Sequence, residues 1–271
     1  MARSDLYDRI FEYPPDNVAT LMFTDPDQVE KDAGSREVAA WELLLGSMQL
    51  RRAGQRSPAN DWLNHATRVP VKSDVFKAEL LGEAGQGLLD SDRLQDAFKI
   101  LNSAEAIWRD VCEQADDACR ETKPGPAAEF ATHLLPLFVA ARAKPPASEA
   151  AIRGGGEAVP MVRQWLSERA VVGRAQTANS LLRVLAKGGR VDDARRVLAE
   201  EKEWIARNFT APAKPAAALP LERRTMSPAV RRALYLLLLA EGEVELAAEA
   251  FERSAAGFAA AAALFENKVQ D

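Results

Sequence analysis

The stretch SLLRVLAKGGRVDDARRVLAEE, residues 180–201, constrains this chain more than any other. Apolar residues recur at three- and four-residue spacing on both sides of Gly188 and Gly189, which is the period of a helix. Asp192 and Asp193 open the second run, where acidic groups favour a helix N-terminus. Two antiparallel helices joined by so tight a turn approach closely only where a side chain is small. Such a hairpin cannot bury its apolar faces alone and needs stacked neighbours of similar build.

Two further segments align on this template. In LLGEAGQGLLDSDRLQDAFKILNSA, Leu81, Ala84, Gly85 and Leu88 fall on the first helix, and Ala97, Leu101 and Ala104 on the second. The matching positions of the 180–201 unit are Ala178, Leu181, Leu182 and Leu185, then Ala194, Leu198 and Glu201. In the last pair they are Arg231, Leu234, Tyr235 and Leu238, then Ala247, Phe251 and Ser254.

This pattern resembles the tetratricopeptide repeat, a helix–turn–helix unit, and Gly85 with Ala97 gives the best match. Leu replaces most of the expected aromatic residues, and Glu201 and Ser254 stand where Ala is usual. Spacing is irregular: 97 residues separate Ala97 from Ala194, and 53 separate Ala194 from Ala247. The resemblance implies an all-α fold of stacked antiparallel helical hairpins, a tetratricopeptide-like α-solenoid or an irregular helical array. It also implies inner helices that present ligand-facing residues. The segment NSLLRVLAKGGRVDDARRVL resembles one pentatricopeptide repeat as well, a family that reads RNA. A bundle of convergent hairpins would satisfy the same positions.

The rest of the chain divides around these units. Residues 1–35 are acidic and broken by Pro14, Pro15 and Pro26, which predicts one short helix and a loop. N-terminal helical hairpins follow over 36–142. Val38, Trp41, Leu44, Leu45 and Met48 share one stripe, and Ser57 is placed to cap a helix with Pro58 at its first position. A Pro/Gly-rich linker covers 143–160, and C-terminal hairpins cover 161–271. Within the latter, 158–169 and 171–187 read as separate helices. The final pair reads as Ser227–Gly242, then one long helix from Glu243. No alternating strand pattern appears.

Composition narrows the function. A net charge of −5 argues against a general polyanion binder. Residues 1–150 hold 17 Lys+Arg against 25 Asp+Glu, whereas 151–271 hold 18 against 15, so the C-terminal half suits an acidic surface. The apolar run ALYLLLLA at 233–240 is too short to cross a bilayer, and the opening residues lack a leader-like apolar core. Cys112 and Cys119, seven residues apart on one helix, would lie about 10.5 Å apart, too far to bridge. Reduced thiols in the cytoplasm or another reducing intracellular compartment are expected, which leaves NFT at 208–210 a chance glycosylation match.

No residues nominate themselves for catalysis, a cofactor or a metal. Gly154–Gly156 lack the Gly-Lys-Ser/Thr of a phosphate loop, GEAGQG sits in a helical pattern, and His65 and His133 have no metal-like spacing. The candidate binding stripe is Gln176, Asn179, Arg183 and Lys187, spaced three or four apart on one helical face. Arg231 and Arg232 extend it on the last hairpin. Asn and Arg there can bond an extended peptide backbone and pair with carboxylates. A solvated helix face is the competing reading. Val244, Ala248, Phe251, Ala255, Phe258, Ala262 and Phe265 form a second feature, an alternating four-three series. It suits either a helix that caps the array or a helix-mediated oligomer through Phe251, Phe258 and Phe265. The expectation is a non-catalytic protein–protein adaptor or assembly subunit. An RNA-binding helical repeat is the alternative.

Overall fold

The computed structural model describes residues 18–120, 159–209 and 228–264. Among these residues there are ten α-helices and no strand, so the fold is all-α. The helices are α1 (Val18–Phe23), α2 (Pro26–Asp32), α3 (Arg36–Arg52), α4 (Arg56–Arg68) and α5 (Asp74–Asp90), followed by α6 (Leu94–Arg120). Then come α7 (Val159–Lys187), α8 (Val191–Phe209), α9 (Pro228–Ala247) and α10 (Phe251–Ala263).

Local chemistry sets several of these boundaries. Ser35 caps α3 by accepting from the Val38 amide at 3.2 Å, and Ser73 caps α5 from the Phe76 amide at 3.3 Å. The cap expected at Ser57 is absent. Helix α4 begins at Arg56 with Gln55 before it, and Pro58 sits inside the first turn, where its missing N–H leaves no bond unmade. The N-terminal segment holds two short helices among its described residues, not one. Helix α7 is continuous where two helices were expected. Its Gly173 is no break: the Trp108 ring occupies the space that a Cβ would need. The linker expected at 143–160 lies mostly outside the described residues, and α7 begins at its end.

Four hairpins share one turn: α3/α4, α5/α6, α7/α8 and α9/α10. Each has a residue with positive φ, namely Gly54 (78°), Asp92 (53°), Gly189 (73°) and Glu249 (57°). That residue donates its N–H to a carbonyl three residues back, and the next residue donates to one five back. The five-back bonds are Gln55 to Leu50, Arg93 to Leu88, Arg190 to Leu185 and Ala250 to Glu245. This is the Schellman arrangement, which satisfies the carbonyls left over at a helix end.

Counted from the turn, a close-approach pair recurs twelve residues apart. Ser47 Oγ donates to the Ala59 carbonyl at 2.8 Å, and Ser254 Oγ donates to the Gly242 carbonyl at 2.9 Å. The same register holds Gly85 with Ala97 and Leu182 with Ala194. Ala59, Ala97 and Ala194 are all fully buried. The last hairpin is therefore displaced by seven residues from its expected alignment. Its turn is at Glu249, Gly242 is inside α9, and Ser254 takes the place assigned to Ala247. The long terminal helix is likewise two helices, with Val244 on α9 and Phe251 on α10. A glycine can mark either a turn or a crossing. At Gly242 it marks a crossing, since a Cβ would meet the Phe258 ring at 2.6 Å.

The hairpins pack in one direction. The first helices form an inner row, α5 touching α3 and α7, and α7 touching α9. The second helices α4, α6 and α8 each lean on the inner helix of the following hairpin, α5, α7 and α9. Trp41, Phe76 and Trp108 anchor one core, and Leu101, Leu182 and Leu237 belong to the next.

Candidate functional site

The inner row encloses a groove of about 440 Å³. Helix α3 contributes Arg51 and Arg52, α5 contributes Gly82, Glu83 and Gln86, α7 contributes Gln176, Asn179 and Arg183, and α9 contributes Leu236. Gly82 keeps it open, because nothing but Thr177 Oγ1, at 3.5 Å, would come near a Cβ there.

A chain of polar contacts fixes the floor. Arg51 donates through Nε to Glu83 at 2.6 Å, through one terminal nitrogen to Asn60 at 2.8 Å, and through the other to Asp90 at 3.5 Å. Ser47 adds a second donor to Glu83 at 3.0 Å. Gln86 donates to Asp90 at 2.9 Å and accepts from Ser180 at 2.9 Å, which carries the chain onto α7. Burial pushes the Glu83 carboxyl above its ordinary range, against the opposing pull of Arg51. Below the groove, Arg169 and Glu79 form a buried ion pair between α7 and α5, with the guanidinium 5.6 Å from the Trp108 ring centre. Arg169 also donates to Gln176 Oε1 at 3.4 Å.

The structure divides the predicted stripe. Gln176, Asn179 and Arg183 line the groove. Arg183 Nε meets Glu243 of α9 at 2.8 Å, with both side chains partly exposed. Asn179 Oδ1 is buried and has no hydrogen-bond partner among the described residues. Lys187 lies outside the groove, exposed, with its Nζ 3.3 Å from Asp92 at the neighbouring turn. Arg231 and Arg232 are half-buried on α9, line no part of the groove, and hold contacts of their own. Of the phenylalanine series, Phe251 is 66% exposed and Phe258 37% exposed, while Phe265 lies outside the described residues.

Several groups escaped the sequence reading. Arg51 looked like an ordinary basic residue of a last helical turn, yet it joins carboxylates and an amide from two other helices. His65, judged to lack metal-like spacing, has its Nδ1 3.3 Å from Asp27, with Glu30 also within ligand distance. These residues come from α2 and α4, so no local spacing could reveal them. Two bidentate pairs brace the C-terminal hairpins. Arg174 donates twice to Glu201 at 2.8 Å while stacking 3.9 Å from the Trp204 ring centre, and Arg195 donates twice to Glu245 at 2.8 Å.

No described helix is long and apolar enough to cross a membrane. Comparison with protein-family models, curated proteins and solved structures finds no match to this chain.

Proposed function

We propose that this chain is a non-catalytic adaptor or assembly subunit that holds an extended segment of a protein partner along its inner helices. Its hairpins are, in this reading, degenerate tetratricopeptide-like units. The observation that carries the proposal is the groove, in which side chains from four successive hairpins converge. Its lining combines amide groups of Gln86, Gln176 and Asn179 with hydroxyls of Thr177 and Ser180. Amides both donate and accept, which suits the alternating N–H and C=O groups of a peptide backbone. A partner group donating to Asn179 would satisfy an oxygen that otherwise costs about 1–3 kcal/mol to leave unbonded.

The charges favour an acidic or C-terminal peptide segment. Arg51 is already compensated by Glu83 and Asp90. Arg52 and Arg56 stand at the end of the groove near the Gly54 turn, and Arg183 stands at its α7 side. Four arginines line the groove beside Glu79, Glu83 and Asp90, a number that suits the few carboxylates of a short segment better than a long RNA tract, which needs many cations to meet its phosphates.

The test is quantitative recovery of the partner from a native-source extract treated with nuclease. With helicity unchanged, Asn179→Ala should reduce recovery several-fold, since a neutral hydrogen bond contributes about 1 kcal/mol, and Arg183→Ala at least tenfold, since a bond to a charged group contributes about 1.5–3 kcal/mol. Lys187→Ala, outside the groove, should leave it intact. Equal recovery by all three variants would move the interface elsewhere. Loss of all partners on nuclease treatment would replace this reading with the RNA one.

A further inference from the structure

We propose that His65, Asp27 and Glu30 form a site for a divalent metal ion of the zinc class, which fastens α2 to α4. The imidazole comes from the last turn of α4 and the two carboxylates from α2, and one ligand atom from each residue lies within 4.8 Å of the other two. The packing beneath sets this meeting. Asp25 caps α2 by accepting from the Asp27 amide at 3.0 Å, Pro26 is buried in the first turn, and Val29 packs against the core anchored by Trp41. On α4, buried Trp62 and Ala66 fix the helix rotation, which leaves the His65 side chain 13% exposed at the edge of α2.

A hydrogen bond from His65 to Asp27 would account for the imidazole and one carboxylate, but it leaves Glu30 beside them without a role. Carboxylates one turn apart on a helix repel each other. Among the described residues no lysine or arginine pairs with either of these two, whereas a divalent cation would neutralise both. The donors select the ion. Calcium and magnesium take oxygen ligands, while imidazole suits zinc and its transition-metal neighbours. Zinc bonds of about 2.1 Å at tetrahedral angles separate ligand atoms by about 3.4 Å. His65 Nδ1 already lies 3.3 Å from Asp27 Oδ1. The exposed Glu30 side chain reaches the third position by a change of rotamer, and the exposed flank at Asp27 leaves room for water as the fourth ligand. His65 would bind through Nδ1 as the neutral imidazole, with its proton on Nε2.

Calorimetric titration of the full chain with zinc chloride, in a non-chelating buffer at neutral pH, tests this. Wild type should bind zinc, and saturating zinc should raise its melting temperature, because a ligand held only by the folded state stabilises by mass action. His65→Ala and Asp27→Asn, at helicity matching wild type, should each weaken binding at least tenfold, since loss of even an outer-shell partner costs that much. Both should also abolish the zinc-dependent shift in melting temperature. Asp32→Asn makes the same charge change on α2 outside the cluster and should bind zinc as wild type does. A wild type that takes up no zinc below millimolar concentration would overturn the proposal. So would zinc binding that survives His65→Ala, or calcium and magnesium binding as tightly as zinc. An equal loss in Asp32→Asn and Asp27→Asn, the behaviour of a diffuse acidic surface, would overturn it too.

Discussion

Glycine has three distinct uses on these inner helices, and each has a measurable consequence. At Gly85 a Cβ would fall inside the buried Leu101 side chain, which has no room to move. Gly85→Ala should therefore overpack the hairpin by about 1–3 kcal/mol, only partly offset by the roughly 1 kcal/mol that Ala gains in a helix. At Gly242 the obstructing group is the Phe258 ring, which is partly exposed and can swing outward, so Gly242→Ala should cost less. At Gly82 the nearest atom is an ordinary contact, and Gly82→Ala should stabilise by up to about 1 kcal/mol. Chemical denaturation of the three variants should give that order. A Gly85→Ala chain as stable as Gly82→Ala would contradict the packing described. These residues also show where sequence reading succeeds and fails. Gly85 was legible as a crossing because its helical pattern runs unbroken on both sides. Gly242 was not, since an apolar run followed by glycine looks like a helix end, while the true turn residue is a glutamate at φ 57°.

Among elements, the α7/α8 hairpin places a carboxylate where the other three hairpins use a small apolar residue. Counted from the turn, Ala66, Ala104 and Ala261 occupy the position that Glu201 holds, and all are buried. Glu201 is tolerated there because Arg174 meets it with two bonds. Removing one partner strands a buried charge, so Glu201→Ala should cost about 3–5 kcal/mol, and Arg174→Met added to it should recover much of the loss. Thermal melts of the single and double variants decide this. An equal loss in both would mean that the pair is not acting as a unit.

The link between α8 and α9 predicts a pH effect. Hydrogen bonds from Arg195 hold the Glu245 carboxyl below its ordinary value of 4.5, so the folded state binds this proton less readily than the unfolded chain. Its contribution is present above that value and is lost as pH falls through the lowered one. Melting temperature should drop on acidification more steeply in wild type than in Glu245→Gln. Parallel curves would remove this carboxylate from the account.

Across the whole molecule, the helical class and the two middle hairpins could be read from the sequence, because their periodicity and small crossing residues are local. The first hairpin was legible as two helices but not as a copy of the shared template. Its close-approach residue is Ser47 instead of glycine, and its turn glycine, Gly54, sits in a run that reads as a connector. The stripe of Gln176, Asn179 and Arg183 was legible because helical spacing fixes a face. Spacing says nothing of how far along the axis the neighbouring helices extend, and Lys187 lies one turn beyond the groove beside Asp92. The floor built around Arg51 was hidden for a related reason, since its partners come from α4 and α5.

The central claim is that the groove between the inner helices is where a partner is held, and blocking it tests that most directly. Gly82→Phe places a ring in the groove at a position where the backbone has space, while Gly82→Ala leaves the groove open. Partner recovery by the two variants, at matched helicity and concentration, is the measurement. The account predicts recovery near wild type for Gly82→Ala and a loss of at least tenfold, about 1.4 kcal/mol, for Gly82→Phe. Undiminished recovery by Gly82→Phe would contradict it.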